Sequence, residues 1–164
     1  MVLTPYRMAG LLAFLTATAA LAVAHGSEIW GGLVPCALCL WERWPWRAAG
    51  ILGLAAAITP PGLARFALVL VVIAALVSAA VSAIHTGVEF KWWPSPLPEC
   101  AAVLAKGGSV AERLARMPAT PAKPCDDPTF LIPGLPVSMA MMNLLASLAF
   151  AAGIARAATR RHPA

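Results

Sequence analysis

Charge is what this sequence has least of: Asp, Glu, Lys and Arg make up 12% of its 164 residues, against 60% hydrophobic types. The mean hydropathy is +0.79. Soluble domains carry about a quarter charged residues, so the composition excludes one and points to an integral membrane protein. Histidine is almost as thin, at three residues, which leaves little for a histidine-based metal or haem centre. The length suits one compact membrane domain over residues 1–164, with no room for a separate soluble catalytic domain. Acids are missing from one whole set of flanking segments. Arg7, Arg65, Arg156, Arg160 and Arg161 lie outside the apolar runs with no Asp or Glu among them.

Four apolar runs, 8–24, 40–58, 66–84 and 137–155, are long enough to cross a hydrocarbon core, which takes roughly 20 helical residues. Lipid offers no partner for backbone N–H and C=O groups, so all four are expected as helices. Thr59-Pro60-Pro61-Gly62 breaks the chain after the second run, and Pro133-Gly134-Leu135-Pro136 precedes the fourth. Arg7 and the Ala22-Val23-Ala24 triplet resemble a secretion signal with its cleavage site. The apolar run between them is longer than the usual core of about 7–15 residues, so it is read as a retained helix.

The five acid-free arginines fall on one side of this layout. The other side holds Glu28, the Cys36/Cys39 pair and a long loop over 86–132 with five basic and five acidic residues. The positive-inside rule puts both termini in the cytoplasm and all four cysteines outside. The net charge of +5 is thus a topology signal, and no nucleic-acid partner is needed to explain it. Within the loop, Ser109 to Glu112 fits a capping box, with Val110, Leu114 and Met117 on one face and Glu112, Arg113 and Arg116 opposite. This predicts a short amphipathic helix, lying on the membrane or simply on the loop surface. The expected fold is an all-α four-helix membrane bundle with this long outer loop.

Cys36-Ala37-Leu38-Cys39 opens the second run and is followed by Glu42-Arg43. Two cysteines at this spacing can form a small redox-active disulfide at a helix N-terminus, where free N–H groups and the helix dipole favour thiolate. Arg43 then lies one turn further in on the face of Cys39, with Arg47 another turn on. An arginine there can stabilise a thiolate or a developing anion; otherwise it pairs with Glu42 or reaches for the headgroups. Pro45 bears on this geometry, because the regular helix either runs through it or starts at it.

Cys100 and Cys125 enclose the proline-rich part of the loop. A structural disulfide there would favour the folded state by about 3.5 kcal/mol, whereas a strained or exposed one would exchange. A second pair on the same side favours a relay. A four-cysteine zinc site fits poorly, because Cys100 and Cys125 are far apart in sequence, and no metal is expected. His85 closes the third run on the face of Ser78 and Ser82, beside a small-residue stripe of Ala75, Ala79 and Ala83. It is either a satisfied interfacial histidine or a donor to a cofactor carbonyl. His25 and His85 as a haem pair is a remote alternative. The six tryptophans, Trp30, Trp41, Trp44, Trp46, Trp92 and Trp93, read as an outer aromatic belt.

Taken in order, Pro35-Cys36-Ala37-Leu38-Cys39 with Glu42-Arg43, His85 after the third run, Pro94 to Cys100, and Cys125 before the fourth run resemble the DsbB family of bacterial membrane thiol oxidases. The resemblance covers nearly the whole chain. It implies an inner-membrane oxidoreductase that reoxidises a periplasmic DsbA-like thiol oxidase and passes two electrons to a quinone, ubiquinone or menaquinone. Cys100 would take the mixed disulfide with the partner, Cys125 would attack Cys36, and Cys39 would face the quinone beside Arg43 and His85. Pro45 and a fourth span with no recognisable polar signature depart from the pattern, which leaves the fourth helix as scaffold. The rivals are a vitamin-K-epoxide-reductase-like enzyme and a non-catalytic membrane protein whose disulfides brace the loop.

Overall fold

A computed structural model of the chain describes residues 5–100, 109, 111–112, 123–132 and 134–159. Four long helices carry most of them: α1 (Pro5–Ile29), α2 (Ala37–Ile58), α3 (Pro61–Glu89) and α4 (Met139–Thr159), with a short 3-10 turn at Pro98–Cys100. The described residues contain no strand. Helices α1, α3 and α4 are each long and apolar enough to cross a membrane. Helix α2 matches them in length with 22 residues, although Glu42, Arg43 and Arg47 sit in its first half. The expected all-helical membrane bundle is the observed architecture.

The helix ends differ from the apolar runs for local reasons. Helix α2 starts at Ala37 because Cys36 is its N-cap, the Sγ accepting the Cys39 N–H at 3.2 Å. A thiol here takes the place of the usual Ser or Asp oxygen. The helix continues through Pro45, so the alternative start at that proline is ruled out and Cys39 and Arg43 do share a face. Helix α3 runs past His85 to Glu89 and spans about 43 Å for its 29 residues. Helix α4 waits until Met139 because Ser138 caps it, its Oγ accepting the Met141 N–H at 3.2 Å.

Small residues set the packing. A Cβ added at Gly10 of α1 would fall 2.7 Å from the Ala57 nitrogen and the Gly53 oxygen of α2. One added at Gly53 would fall 2.7 Å from the Phe14 nitrogen. Backbones this close replace, by dispersion, the hydrophobic drive that lipid cannot supply. Helix α2 packs on α1 and α3, and α3 packs on α4, while α1 and α4 touch only lightly. The stripe on α3 is made by Ala75, Ala79, Ser78 and Ser82; Ala83, expected in it, is exposed. Buried positions at 3.6-residue spacing drift round the helix, and by this turn they have moved on to Ser82 and His85.

Past α3, Lys91 adopts a left-handed φ of 59°. The Trp92 N–H reaches the Gly87 carbonyl at 2.9 Å and the Lys91 N–H the Val88 carbonyl at 3.0 Å, a Schellman ending. Trp93 is thereby folded back over Gly87, its Nε1–H on the Ile84 carbonyl at 3.1 Å. Further along the loop, the capping box is present: the Ser109 N–H donates to Glu112 Oε2 at 2.9 Å and the Glu112 N–H to Ser109 Oγ at 3.3 Å. Val110, Leu114, Met117, Arg113 and Arg116, the rest of the expected amphipathic helix, lie outside the described residues.

Candidate functional site

All four cysteines converge at the N-terminal end of α2. Cys100 and Cys125 form a disulfide, and both are buried against Cys36, Leu38 and Val88, with Cys39 packed alongside. The loop segment that carries Cys125 reaches this place through an isolated parallel bridge between Lys123 and Cys36. Lys123 is held by Thr129 at 2.6 Å and by Asp127 at 3.4 Å. Cys36 and Cys39 are free thiols with their sulfurs 2.9 Å apart. The hydrogen bond with the Cys39 thiol draws Cys36 below the ordinary thiol range; burial and the Glu42 charge oppose it, and the Cys39 and Leu38 N–H groups assist.

Behind the pair lies a buried polar chain. His85 Nε2 is 3.4 Å from Cys36 Sγ, and its Nδ1 is 2.8 Å from Glu42 Oε1. The other Glu42 oxygen accepts from Asn143 Nδ2 at 3.0 Å. Asn143 also donates to Ser82 Oγ at 2.6 Å and accepts from Trp46 Nε1 at 2.8 Å. Ser147 continues the chain to Ser78 at 3.0 Å. Buried polar groups at this density are tolerated only when each finds partners, as these do. The ring of His85 is fixed by Glu42 of α2 and by Cys36 at its N-cap, a pairing that spacing along the chain does not specify.

Arg43 turns to the other side. It pairs with Glu28 at the end of α1, not with its neighbour Glu42. Its Nε is buried with no hydrogen-bond partner among the described residues. An ion pair in an apolar zone costs several kcal/mol per ion before pairing, so an unsatisfied donor beside it is an added cost. Arg47 does not join Arg43. It is exposed and stacks on Trp44 at 4.9 Å. Eight residues from Cys39 rotate the face by roughly 80°, which is enough to turn Arg47 outward.

A cavity of about 230 Å³ opens where α1 and α4 stay apart. Cys39, Glu42, Arg43, Trp46 and Asn143 line it, with apolar residues of α1 and Met139 and Met142 of α4. Cys36 and His85 do not. His85, expected to face a cofactor beside Arg43, instead faces Cys36. Trp46 leaves the aromatic belt: at 5% exposure it stacks on Phe150 at 5.2 Å and forms a wall of the cavity. Trp30, Trp41, Trp44, Trp92 and Trp93 are exposed, as a belt requires. Helix α4, expected as scaffold, contributes Asn143 and Ser147 to the polar chain. The sequence did carry a signal for this, since Asn143 is the chain's lone side-chain amide, placed inside an apolar helix.

Donor sets for a metal or haem are narrow. The disulfide removes Cys100 and Cys125 from any four-cysteine site. The sulfurs of Cys36 and Cys39 and a ring nitrogen of His85 lie within 4.8 Å of one another, close enough to hold a soft cation. His25 bonds back to the Leu21 carbonyl through Nδ1 at 2.8 Å, while both nitrogens of His85 are engaged by Cys36 and Glu42, so His85 is not free to complete a haem pair.

Comparison with known proteins gives one result. The family model for disulfide bond formation protein DsbB matches residues 6–157. No curated protein and no solved structure matches the chain.

Proposed function

Because this chain belongs to the DsbB family, membrane proteins of disulfide bond formation, we propose that it is a protein-dithiol:quinone oxidoreductase serving a periplasmic DsbA-like partner. One observation carries the reading: Cys36 shares a single buried cluster with the loop disulfide, and its sulfur is 2.9 Å from that of Cys39. Two disulfide-forming pairs gathered in one cluster can exchange without long-range diffusion of either.

In this reading the partner's dithiol attacks the Cys100–Cys125 disulfide and leaves oxidised, with Cys100 carrying the transient mixed disulfide. The Cys125 thiolate then attacks Cys36 of an oxidised Cys36–Cys39 pair and Cys39 departs with the electron pair; the Cys100 thiolate left by the departing partner attacks Cys125, which restores the loop disulfide and releases Cys36 as a thiol. Cys125 is 1% exposed, so the loop must lift for the partner to enter. A bound quinone supplies a two-electron, two-proton sink. The cavity suits its head group: Cys39 opens onto it, Trp46 offers a flat wall, and the unpartnered Nε of Arg43 offers a donor to a carbonyl. Its size takes a head group, with an isoprenoid tail left to leave between α1 and α4. Arg43, held by Glu28, would keep its charge beside the Cys39 thiolate.

We place α2 as the fourth span, the whole chain as one membrane domain, the arginine-rich ends in the cytoplasm and the cysteines in the periplasm of a bacterial inner membrane. The vitamin-K-epoxide-reductase-like alternative calls for a hydroxyl at the pocket, and none lines this cavity among the described residues.

The test is quinone-dependent oxidation of a reduced thioredoxin-fold partner by the purified protein, with each cysteine changed to serine in turn. All four variants should fail with the partner, while Cys100→Ser and Cys125→Ser should still let quinone oxidise Cys36 and Cys39. Full partner oxidation by Cys36→Ser or Cys39→Ser would refute the reading.

A further inference from the structure

Electrons and protons leave the cysteine pair by different doors. Two thiols, two electrons and two protons must be delivered to a quinone-class acceptor: both S–H bonds break, one S–S bond forms, and the acceptor becomes the hydroquinone. Cys39 lines the cavity and can give up its electron pair and its own proton there. Cys36 is buried and does not reach the cavity. Its proton cannot go to the Cys39 sulfur, 2.9 Å away, because that sulfur is losing a pair to make the new bond.

We infer that His85 and Glu42 form a proton relay that carries the Cys36 proton to the acceptor cavity, apart from the electron route through Cys39. The inference rests on the reading given under the proposed function. Among the described residues, Glu42 is the one that both hydrogen-bonds to His85 and lines the cavity. An ionised carboxylate only accepts, so the His85 proton sits on Nδ1 toward Glu42 and the Nε2 lone pair faces Cys36 Sγ at 3.4 Å. As Cys36 loses its proton to Nε2, Nδ1 passes one to Glu42, and Glu42 releases it into the cavity. The imidazole returns with its tautomer reversed and resets by ring exchange or by the reverse transfer.

Asn143 holds the second Glu42 oxygen at 3.0 Å and is itself fixed by Ser82 and Trp46, so the carboxylate keeps one orientation. That is how a general base is preorganised. Of the other charged groups, only Glu89, one turn beyond His85 on the same helix, lies near enough to act on the ring by its charge. Arg43 is paired with Glu28, Lys123 is held by Thr129 and Asp127, and Glu89, on the same helix as His85, accepts from Ser138. Among the described residues, the ionisable groups in contact with His85 are therefore Cys36 and Glu42, with Cys39 one sulfur beyond.

The relay is tested on full-length reduced protein in detergent with two readouts. The first is the 15N spectrum of its histidines, without any acceptor: His85 should show a protonated Nδ1 and a bare Nε2, and Glu42→Gln should abolish that preference. The second is single-turnover oxidation of the Cys36–Cys39 dithiol by ubiquinone-1 across pH, in light and heavy water. Glu42→Gln should slow it at least about 100-fold, flatten its pH profile and lose the solvent isotope effect, with Glu42→Asp restoring part of the rate. His85→Gln, which keeps an amide between the same partners but cannot shuttle a proton, should show the same loss and guards against a misfolded Glu42 variant. A folded Glu42→Gln protein with the wild-type profile and isotope effect would overturn the relay, as would a protonated Nε2 in the wild type. Failure of the wild type to reduce ubiquinone-1 would instead remove the quinone reading, and the nitrogen spectrum would still decide whether His85 is set by Glu42.

Discussion

Cys36 at the N-cap of α2 and His85 on α3, 49 positions apart, bring Sγ and Nε2 to 3.4 Å. The contact turns His85 toward the first sulfur and leaves Arg43 as the cationic side chain lining the cavity. Under the proposed function the consequences are separable by experiment.

Arg43 should matter for acceptor binding. Its Nε has no partner among the described residues, while Nη2 is committed to Glu28. Arg43→Ala should raise the KM for quinone about 10-fold or more, a loss of about 1.4 kcal/mol or more, consistent with a hydrogen bond from a charged donor. Arg43→Lys should not rescue it, because a lysine cannot hold Glu28 and present a second directed N–H together. Steady-state kinetics against quinone concentration measure both, and an unchanged KM would remove Arg43 from the cavity's chemistry.

Reduced Cys36 should become reactive at lower pH than an ordinary thiol. Its thiol is drawn below the ordinary range chiefly by the hydrogen bond with Cys39. Thiolate is the reactive form, so a lowered pKa shifts the alkylation midpoint to lower pH, and Cys39→Ala should move it back up. The iodoacetamide rate against pH, read by mass at Cys36, gives the direction in both proteins.

Asn143 should be a stability residue as well as a positioning one. Replacing it with Leu strands Glu42 Oε2 and the Trp46 N–H in a buried site, at about 1–3 kcal/mol for each group left unsatisfied. The variant should unfold at lower temperature in detergent. Near-ultraviolet circular dichroism should also lose part of the Trp46 signal, since its stacking on Phe150 depends on the same orientation.

Gly53→Ala tests the bundle away from the chemistry. Its new methyl would meet the Phe14 nitrogen at 2.7 Å, a backbone atom that cannot swing aside. Helices α1 and α2 must separate, at about 1–3 kcal/mol. Thermal unfolding should fall accordingly, with a larger fall for Gly53→Val; a variant as stable as the wild type would refute the close crossing.

Much of this protein could be read along the chain, because the properties involved are local. Apolar length fixes which segments become helices in lipid, and Pro60 and Gly134 mark where the chain turns. The Cys36/Cys39 spacing fixes a cap and its third residue, and the Ser109/Glu112 spacing a capping box. Pairing between helices was not legible. Arg43 was free to choose Glu42 or Glu28, and only the lean of α1 against the Gly53 face of α2 brought Glu28 within reach. Likewise the sequence marked His85 as chemically interesting but left its direction open. The side-by-side packing of α2, α3 and α4 put Glu42 behind the ring, Asn143 behind Glu42, and the cavity on the far side. A sequence specifies which groups exist and their spacing along one helix; which of them meet across a bundle depends on helix crossing and rotation, set jointly by every contact in the fold.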